Sequence, residues 1–409
     1  MTTDVIIIGG GAAGLCCAVN LKQKNPDLSV RVFEKLPRVC KKLSVTGNGR
    51  CNITNKNITL ERYHGEHKEF CRYALEKYNI GVTTDFFKTI GVPFVYEEDK
   101  AYPASLQAGS VVDCLRFAAE DLGVFIHTDS KITNIQVLKN EYRVWADKLS
   151  FNAKNVVIAT GLLSGGEKYG CDGDMLSLLK KAGFKTVKTT PAIVQIKTVN
   201  DITKQLKGIK VDAVATLSND GKQIRKDFGE VLFCDYGLSG PPIMQISREV
   251  SRQNGNITVS LNLLPDKDFN TLYKEISDRV KIMPKRSLEE FFTGFLNKRL
   301  GQVILKSAGC KLSDKAESLN ANTIKKIASI INCMEFKVTG TTGFQNSQVT
   351  AGGLETTQFC DKTMECKDYK NLYAIGEILD IDGDCGGFNL QWAWSSAMAC
   401  ADSIIGENK

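Results

Sequence analysis

No Cys-x-x-Cys pair occurs anywhere in the 409 residues, although the chain carries 14 cysteines. Neither a zinc ribbon nor a thioredoxin-type redox pair is therefore signalled, and no metal site is expected. The chain is far longer than a disulfide-stapled miniprotein, and the adjacent Cys16 and Cys17 have a spacing that strains a disulfide. Reduced thiols in a cytoplasmic setting are the expectation. Blocks of like charge are missing too. Lys+Arg exceed Asp+Glu by seven, 53 against 46. The basic residues fall in scattered pairs such as Lys41/Lys42, Lys180/Lys181 and Lys325/Lys326, so no nucleic-acid partner is expected. No uncharged apolar stretch reaches the roughly 18 residues of a membrane span. Val5 to Val19 imitates a signal-peptide core but follows Asp4, has no basic residue before it and is glycine-rich at its centre. Internal repeats are absent. Only three histidines occur, His64, His67 and His127, and each is expected at the surface or in the core.

Hydrophobic residues make up 43% and charged residues 24% of the chain, which is ordinary for a globular protein of roughly two to three domains. Val5–Ile8 is a β-branched run ending in glycines, Ala12 to about Lys24 reads as a helix, and Ser29–Phe33 as a strand. Strand, glycine turn, helix and strand open a parallel α/β sheet. Asn155–Ala159 is a second apolar strand, followed by a helix from about Gly173 to Ala182. From Pro191 the texture changes. Ile209–Leu217, the turn Asn219-Asp220-Gly221-Lys222 and the run to Cys234 predict a hairpin, and Ile257–Leu264 a further strand. Asp266 to about Cys333 reads as helical. Ser287 and Glu290 are spaced as a capping box there, and Ile324, Ile327, Ala328 and Ile331 share one helix face. A terminal helix is expected around Gln391–Ile405. The pattern predicts an α/β dinucleotide-binding domain (1–191 plus 340–409), a β-rich insert (192–265) and a helical insert (266–339).

Gly9-x-Gly11-x-x-Gly14 follows the first strand and opens the first helix. Gly9 permits a tight turn, Gly11 lets the backbone approach a pyrophosphate, and Gly14 lets the helix lie close to the sheet. The first helical turn, with Ala12 and Ala13, offers unpaired N–H groups to phosphates. Glu34, followed by Lys35, ends the next strand 20 residues after Gly14, where a carboxylate accepts ribose hydroxyls and disfavours a 2′-phosphate. NAD and FAD both satisfy this fingerprint. Two distant strand-turn segments favour FAD: Val156–Gly161, with Ala159, Thr160 and Gly161 at its end, and Leu372–Glu377, with Gly376 and Glu377.

Four blocks then carry a family resemblance: KKLSVTGNGRCNITN at 41–55, YPASLQAGSVVDCL at 102–115, GLSGPPIMQIS at 237–247 and GEILDIDGDCGGFNLQWAW at 376–394. Over nearly its whole length the chain resembles the HI0933-like flavoproteins, which include aminoacetone-oxidase-like and BaiN-like NAD(P)/FAD-dependent oxidoreductases. The resemblance implies bound FAD in a Rossmann-like domain of the glutathione-reductase type, interrupted by a β-barrel-like unit and a small helical unit. It also implies that Glu377 reaches the ribitol. One departure lies at 160–170, where TGLLSGGEKYG lacks the second glycine that the family usually shows after Thr-Gly.

The blocks also make physical sense. Lys42, Thr46, Gly47, Asn48, Arg50, Cys51 and Asn52 combine flexible backbone with side-chain donors in a loop able to wrap a polar cofactor. Gly387, Asn389, Leu390 and Gln391 lead into the last helix, whose N–H groups suit the flavin edge where negative charge builds on reduction. Asp382 belongs to the same cofactor-facing set. Trp392 and Trp394 read as core. Acid–base candidates are Tyr236, Arg50 and Asp380. Cys51 reads as packing rather than redox chemistry.

These features predict an FAD-dependent oxidoreductase acting on a small organic substrate, with NAD(P)H as a transient donor. An enone C=C reductase is one concrete form. The alternatives are an amine or amino-ketone oxidase, a flavin-dependent tRNA modifier and a non-catalytic FAD-binding protein. Oligomeric state is left open.

Overall fold

The computed structural model describes residues 2–199 and 201–406. The chain divides into two compact units, Met1–Pro191 with Phe344–Lys409, and Ala192–Gly343.

The first unit is organised by a seven-stranded sheet. Strand β1 (Thr3–Ile8) is buried along most of its length, as befits a central parallel strand covered on both faces. It pairs in parallel with β2 (Val30–Phe33) on one side and with Leu149–Ile158 on the other. Phe125–His127 extends the sheet beyond β2. Leu149–Ile158 has two characters. Its first half pairs antiparallel with Tyr142–Ala146, and its second half pairs in parallel with Leu372–Ala374. The apolar run Asn155–Ala159 marks only the buried second half. Leu149 and Ser150 at the start are exposed and carry no apolar signal.

Helix α1 (Ala12–Lys24) has the expected bounds and packs against the terminal helix Phe388–Ile405. That terminal helix is apolar all round, with Trp392 and Trp394 almost wholly buried, and forms the heart of this unit. Between β2 and Phe125–His127 the chain folds a small three-stranded sheet and the helices Ile80–Thr89 and Ala108–Asp121, elements that no pattern in the sequence announces.

The second unit is a closed six-stranded barrel with helices. The expected hairpin is Lys210–Asn219 with Lys222–Cys234. Asp220 and Gly221 both have positive φ, +49° and +79°, which suits a two-residue turn matching strand twist. Met334–Thr341 pairs with Ile257–Asn262 and Ile196–Thr198 to close the barrel. Since this closing strand follows the helices Phe269–Ile282, Lys298–Ser307 and Ala321–Asn332, barrel and helices share one apolar core. Ile324, Ile327, Ala328 and Ile331 are all buried in it. The capping box expected at Ser287 does not form. Leu288–Glu290 is a single 3-10 turn without a side-chain cap, and the Glu290 carboxylate pairs with Arg286 instead, at 3.3 Å. Among the described residues no helix is long and apolar enough to cross a membrane.

Candidate functional site: a glycine-lined dinucleotide cradle

The three fingerprint glycines have different surroundings. Gly9 has φ +107°, and a Cβ there would sit 2.6 Å from the Ala159 carbonyl oxygen. A Cβ on Gly14 would lie 2.0 Å from the Gly9 carbonyl oxygen. These two positions let strand, helix and the Ala159–Gly161 turn come together. Gly11 differs: a Cβ would meet nothing within 4 Å. It is the N-cap of α1 and supplies no side-chain cap. The helix thus starts at an uncrowded glycine with no side-chain cap on its first turn, a geometry suited to phosphate.

Glu34 stands beside this opening. Its carboxylate accepts from the Gly10 N–H and the Leu36 N–H, each at 2.9 Å. Burial raises its pKa above the ordinary value, partly offset by those two N–H groups. The carboxylate is held in place with no cation bonded to it among the described residues, and the Lys35 ammonium goes to Asp172 at 2.6 Å. Lys42 lies 2.6 Å from Glu377. Burial works to discharge the ammonium, but the Glu377 carboxylate outweighs it and raises the Lys42 pKa. The other Glu377 oxygen accepts from the Thr350 N–H at 3.0 Å. Gly376, with φ +69°, leaves only 3.0 Å between a hypothetical Cβ and the Ala13 methyl, so this turn lies directly on the first turn of α1.

The Thr46–Asn52 loop is a chain of left-handed residues. Gly47, Asn48, Gly49 and Cys51 all have positive φ. Arg50 stacks over Tyr102, 4.3 Å from the ring centroid, and pairs with the Glu97 carboxylate. Cys51 is wholly buried, and burial pushes its thiol up to about 12, so it is held protonated and inert. Asn52 is buried and its Oδ1 lacks any hydrogen-bond partner among the described residues. An orphaned buried acceptor costs about 1–3 kcal/mol unless something donates to it. Gly387 lies against it: with φ +98°, a Cβ there would meet the Thr54 carbonyl at 2.8 Å and Asn52 Oδ1 at 3.0 Å.

Other residues that the sequence singled out turn inward. Gln391 is fully buried. It accepts from Thr54 Oγ1 at 2.5 Å, and its amide nitrogen lies within 2.9 Å of the Tyr78 carbonyl, Thr83 Oγ1 and Ser395 Oγ. Asn389 clamps Gly383, accepting from its N–H and donating to its carbonyl, each at 2.8 Å. Leu390 packs on the core. Trp392 donates to the Gly376 carbonyl and Trp394 to the Ile53 carbonyl, so the two indoles tie the terminal helix to both loops. Asp380 accepts from the Glu66 N–H at 2.8 Å, and Asp382 pairs through its backbone with His64. Tyr236 lies in the other unit, in the turn between Lys222–Cys234 and Gly237–Ser239, and burial raises its pKa.

His64 is the residue that sequence reasoning passed over. The two-residue strand Tyr63–His64 pairs with Asp382–Gly383, and His64 Nε2 lies 2.8 Å from Asp384. No local pattern announces a contact between residues 320 positions apart. Among the described residues no cluster of His, Cys, Asp and Glu could hold a metal ion.

A helix start without a side-chain cap, an anchored acid near it and an orphaned buried amide oxygen fit FAD. The family model for the HI0933-like protein Rossmann domain matches residues 3–403. The chain is 30% identical over 393 residues to the 3-dehydro-bile acid delta(4,6)-reductase of Clostridium scindens, covering 95% of this chain and 96% of that protein. It is 29% identical over 415 residues to the ribosomal RNA dihydrouridine synthase of Haemophilus influenzae, covering 98% of each. Among solved structures, the 3-ketosteroid delta1-dehydrogenase of Sterolibacterium denitrificans shares the fold with a TM-score of 0.51 at 12% identity, over 99% of this chain and 100% of that one. A quinol-fumarate reductase does so with a TM-score of 0.51 at 14% identity, over 100% of this chain and 72% of that one. With matches across nearly its whole length, the chain belongs to the HI0933-like family and is an FAD-dependent oxidoreductase.

Proposed function

We propose that the protein reduces a carbon–carbon double bond conjugated to a carbonyl in a small organic substrate, with NAD(P)H as a transient electron donor. The observation that carries this reading is the full-length relationship to the bile-acid delta(4,6)-reductase, combined with a cradle whose open N–H groups and anchored Glu34 suit FAD.

Bound FAD supplies hydride transfer, and the protein supplies binding, orientation and electrostatics. Gly11 and the first turn of α1 hold the pyrophosphate, and Glu34 takes the adenosine ribose. The Lys42–Glu377 pair, the Thr46–Asn52 loop and the Gly387 turn hold the flavin half. Asn52 Oδ1 awaits a donor from the ligand. No disulfide is formed among the described residues, which supports a route for electrons that uses no protein disulfide.

An anaerobic titration tests this. The holoenzyme takes up two electrons per FAD from NADH or NADPH, and the bleached flavin regains its colour with a 3-oxo-Δ4 steroid acid. Uptake of four electrons, or reoxidation by oxygen alone, contradicts it, and the latter points to an amine or amino-ketone oxidase.

A second reading has one observation behind it. Ala192–Gly343 holds 23 Lys and Arg against 16 Asp and Glu, so the chain's whole excess of seven positive charges lies in the inserted unit. An RNA substrate would use such a unit for phosphate contacts. Retention of ribosomal RNA that falls steeply with salt supports this reading, and no retention at low salt removes it.

A further inference from the structure

The segment Arg62–Glu66 is stitched to the 380–388 loop at many points. The Asp384 N–H donates to the Arg62 carbonyl at 2.8 Å, and Tyr63 Oη donates to the Phe388 carbonyl at 3.0 Å. Gly65 is forced to be glycine, because a Cβ there would sit 2.2 Å from the Asp380 carbonyl oxygen. These contacts place His64 at one position. Its Nε2 faces the nearly buried Asp384 carboxylate at 2.8 Å, and Arg62 reaches the same carboxylate at 3.4 Å. Asp382 pairs with His64 through the backbone, and Asp380 is bonded to the Glu66 N–H.

An imidazole whose Nε2–H is fixed by a carboxylate keeps Nδ1 for proton exchange, and the carboxylate stabilises the imidazolium that forms. Nδ1 has no protein partner among the described residues, and the side chain is 22% exposed, so water can recharge it. The position matters as much as the chemistry. Asp384 is three peptide units from Gly387, at most about 11 Å along the chain. Gly387 touches Asn52, whose Oδ1 is the orphaned acceptor of the cradle.

We propose that His64, oriented by Asp384, donates the proton that completes reduction of the conjugated double bond. The proposal rests on the reductase reading above. The β-carbon gains a hydride, the electron pair of the double bond shifts toward the carbonyl, and the oxygen takes the Nδ1 proton to give an enol. The enol tautomerises in water to the saturated ketone. The donor side is closed by NAD(P)H, oxidised by two electrons, and His64 regains its proton from solvent.

The test uses the FAD-bound full chain, wild type and His64→Gln, with Asp384→Asn as the second variant. In the first arm p-chlorophenol stands in for the enolate oxygen, and its long-wavelength charge-transfer band with oxidised flavin is followed against pH. Wild type binds the phenolate about 10- to 100-fold more tightly than His64→Gln, the loss expected for one charge-assisted hydrogen bond. Asp384→Asn, which loosens the hold on the ring, weakens phenolate binding toward the His64→Gln level. In the second arm dithionite-reduced enzyme is mixed anaerobically with 3-oxo-4-cholenoic acid, and His64→Gln returns its flavin to the oxidised form about 100-fold more slowly than wild type. Equal phenolate affinity in the two proteins, or no band with wild type, overturns the proposal. A phenolate effect that depends on His64, with no reoxidation of wild type by the steroid acid, overturns the enone reading and leaves the His64 assignment standing.

Discussion

The first turn of α1 and the first turn of the terminal helix both begin at a glycine without a side-chain cap, yet the two glycines do different work. Gly11 has φ −82° and open space where a Cβ would be. Any residue could adopt its backbone, and glycine there serves access. Gly387 has φ +98° and is hemmed in by Thr54 and Asn52, so glycine there is required for the loops to meet at all. The first helix end is built locally, by strand, turn and helix in one stretch of sequence. The second is assembled from segments hundreds of residues apart. The same residue type thus marks an uncrowded helix start in one place and a packing joint in the other.

Substitutions separate the two roles. Gly387→Ala combines a left-handed backbone with a methyl 2.8 Å from the Thr54 carbonyl, and is expected to destabilise the protein by about 3–4 kcal/mol in denaturant titrations. Gln391→Leu removes the hub joining Thr54, Tyr78 and Ser395. Its expected cost is about 2 kcal/mol in the same measurement, because buried partners are left unsatisfied. Glu34→Ala leaves the fold intact and weakens FAD binding about 10- to 100-fold by equilibrium titration. Gly11→Ala changes stability by less than about 0.5 kcal/mol while lowering FAD affinity, since its methyl projects into the opening. Equal effects of Gly11→Ala and Gly387→Ala on stability would erase the distinction.

Glu34 adds a pH dependence with a definite sign. Burial raises its pKa, and in the proposed site ribose hydroxyls would donate to the ionised form. FAD affinity therefore rises as pH climbs through that raised value, and Glu34→Gln flattens the profile. In the cofactor-free chain the linkage runs the other way. The folded state holds the proton more tightly than the unfolded chain, so this group's stabilisation is complete below the ordinary carboxyl range and is lost as pH rises through the raised value.

The sequence shows the local half of this architecture well. Helix α1, the strands around it, Glu34 and the Asp220-Gly221 hairpin all follow from short-range rules of period, turn and cap. The long-range half escapes those rules. His64 meets Asp384 across 320 residues, through a pairing only two residues long. Gln391 and Asn389 look like cofactor donors beside a glycine turn, but their amides are consumed by internal partners. Burial of that kind is set by what packs around a residue, and its neighbours in sequence do not encode it. The exposed first half of Leu149–Ile158 is hidden for a related reason, since a strand supported by hairpin hydrogen bonds needs no apolar run.

On the proposed reading, the first turn of α1 and the anchored Glu34 hold the adenosine diphosphate part of FAD. Releasing and identifying the nucleotide from purified protein, wild type beside Glu34→Ala, tests it most directly. The account predicts one FAD per wild-type chain and a marked loss of FAD from the variant. Recovery of FMN, or equal FAD retention by the two proteins, would contradict it.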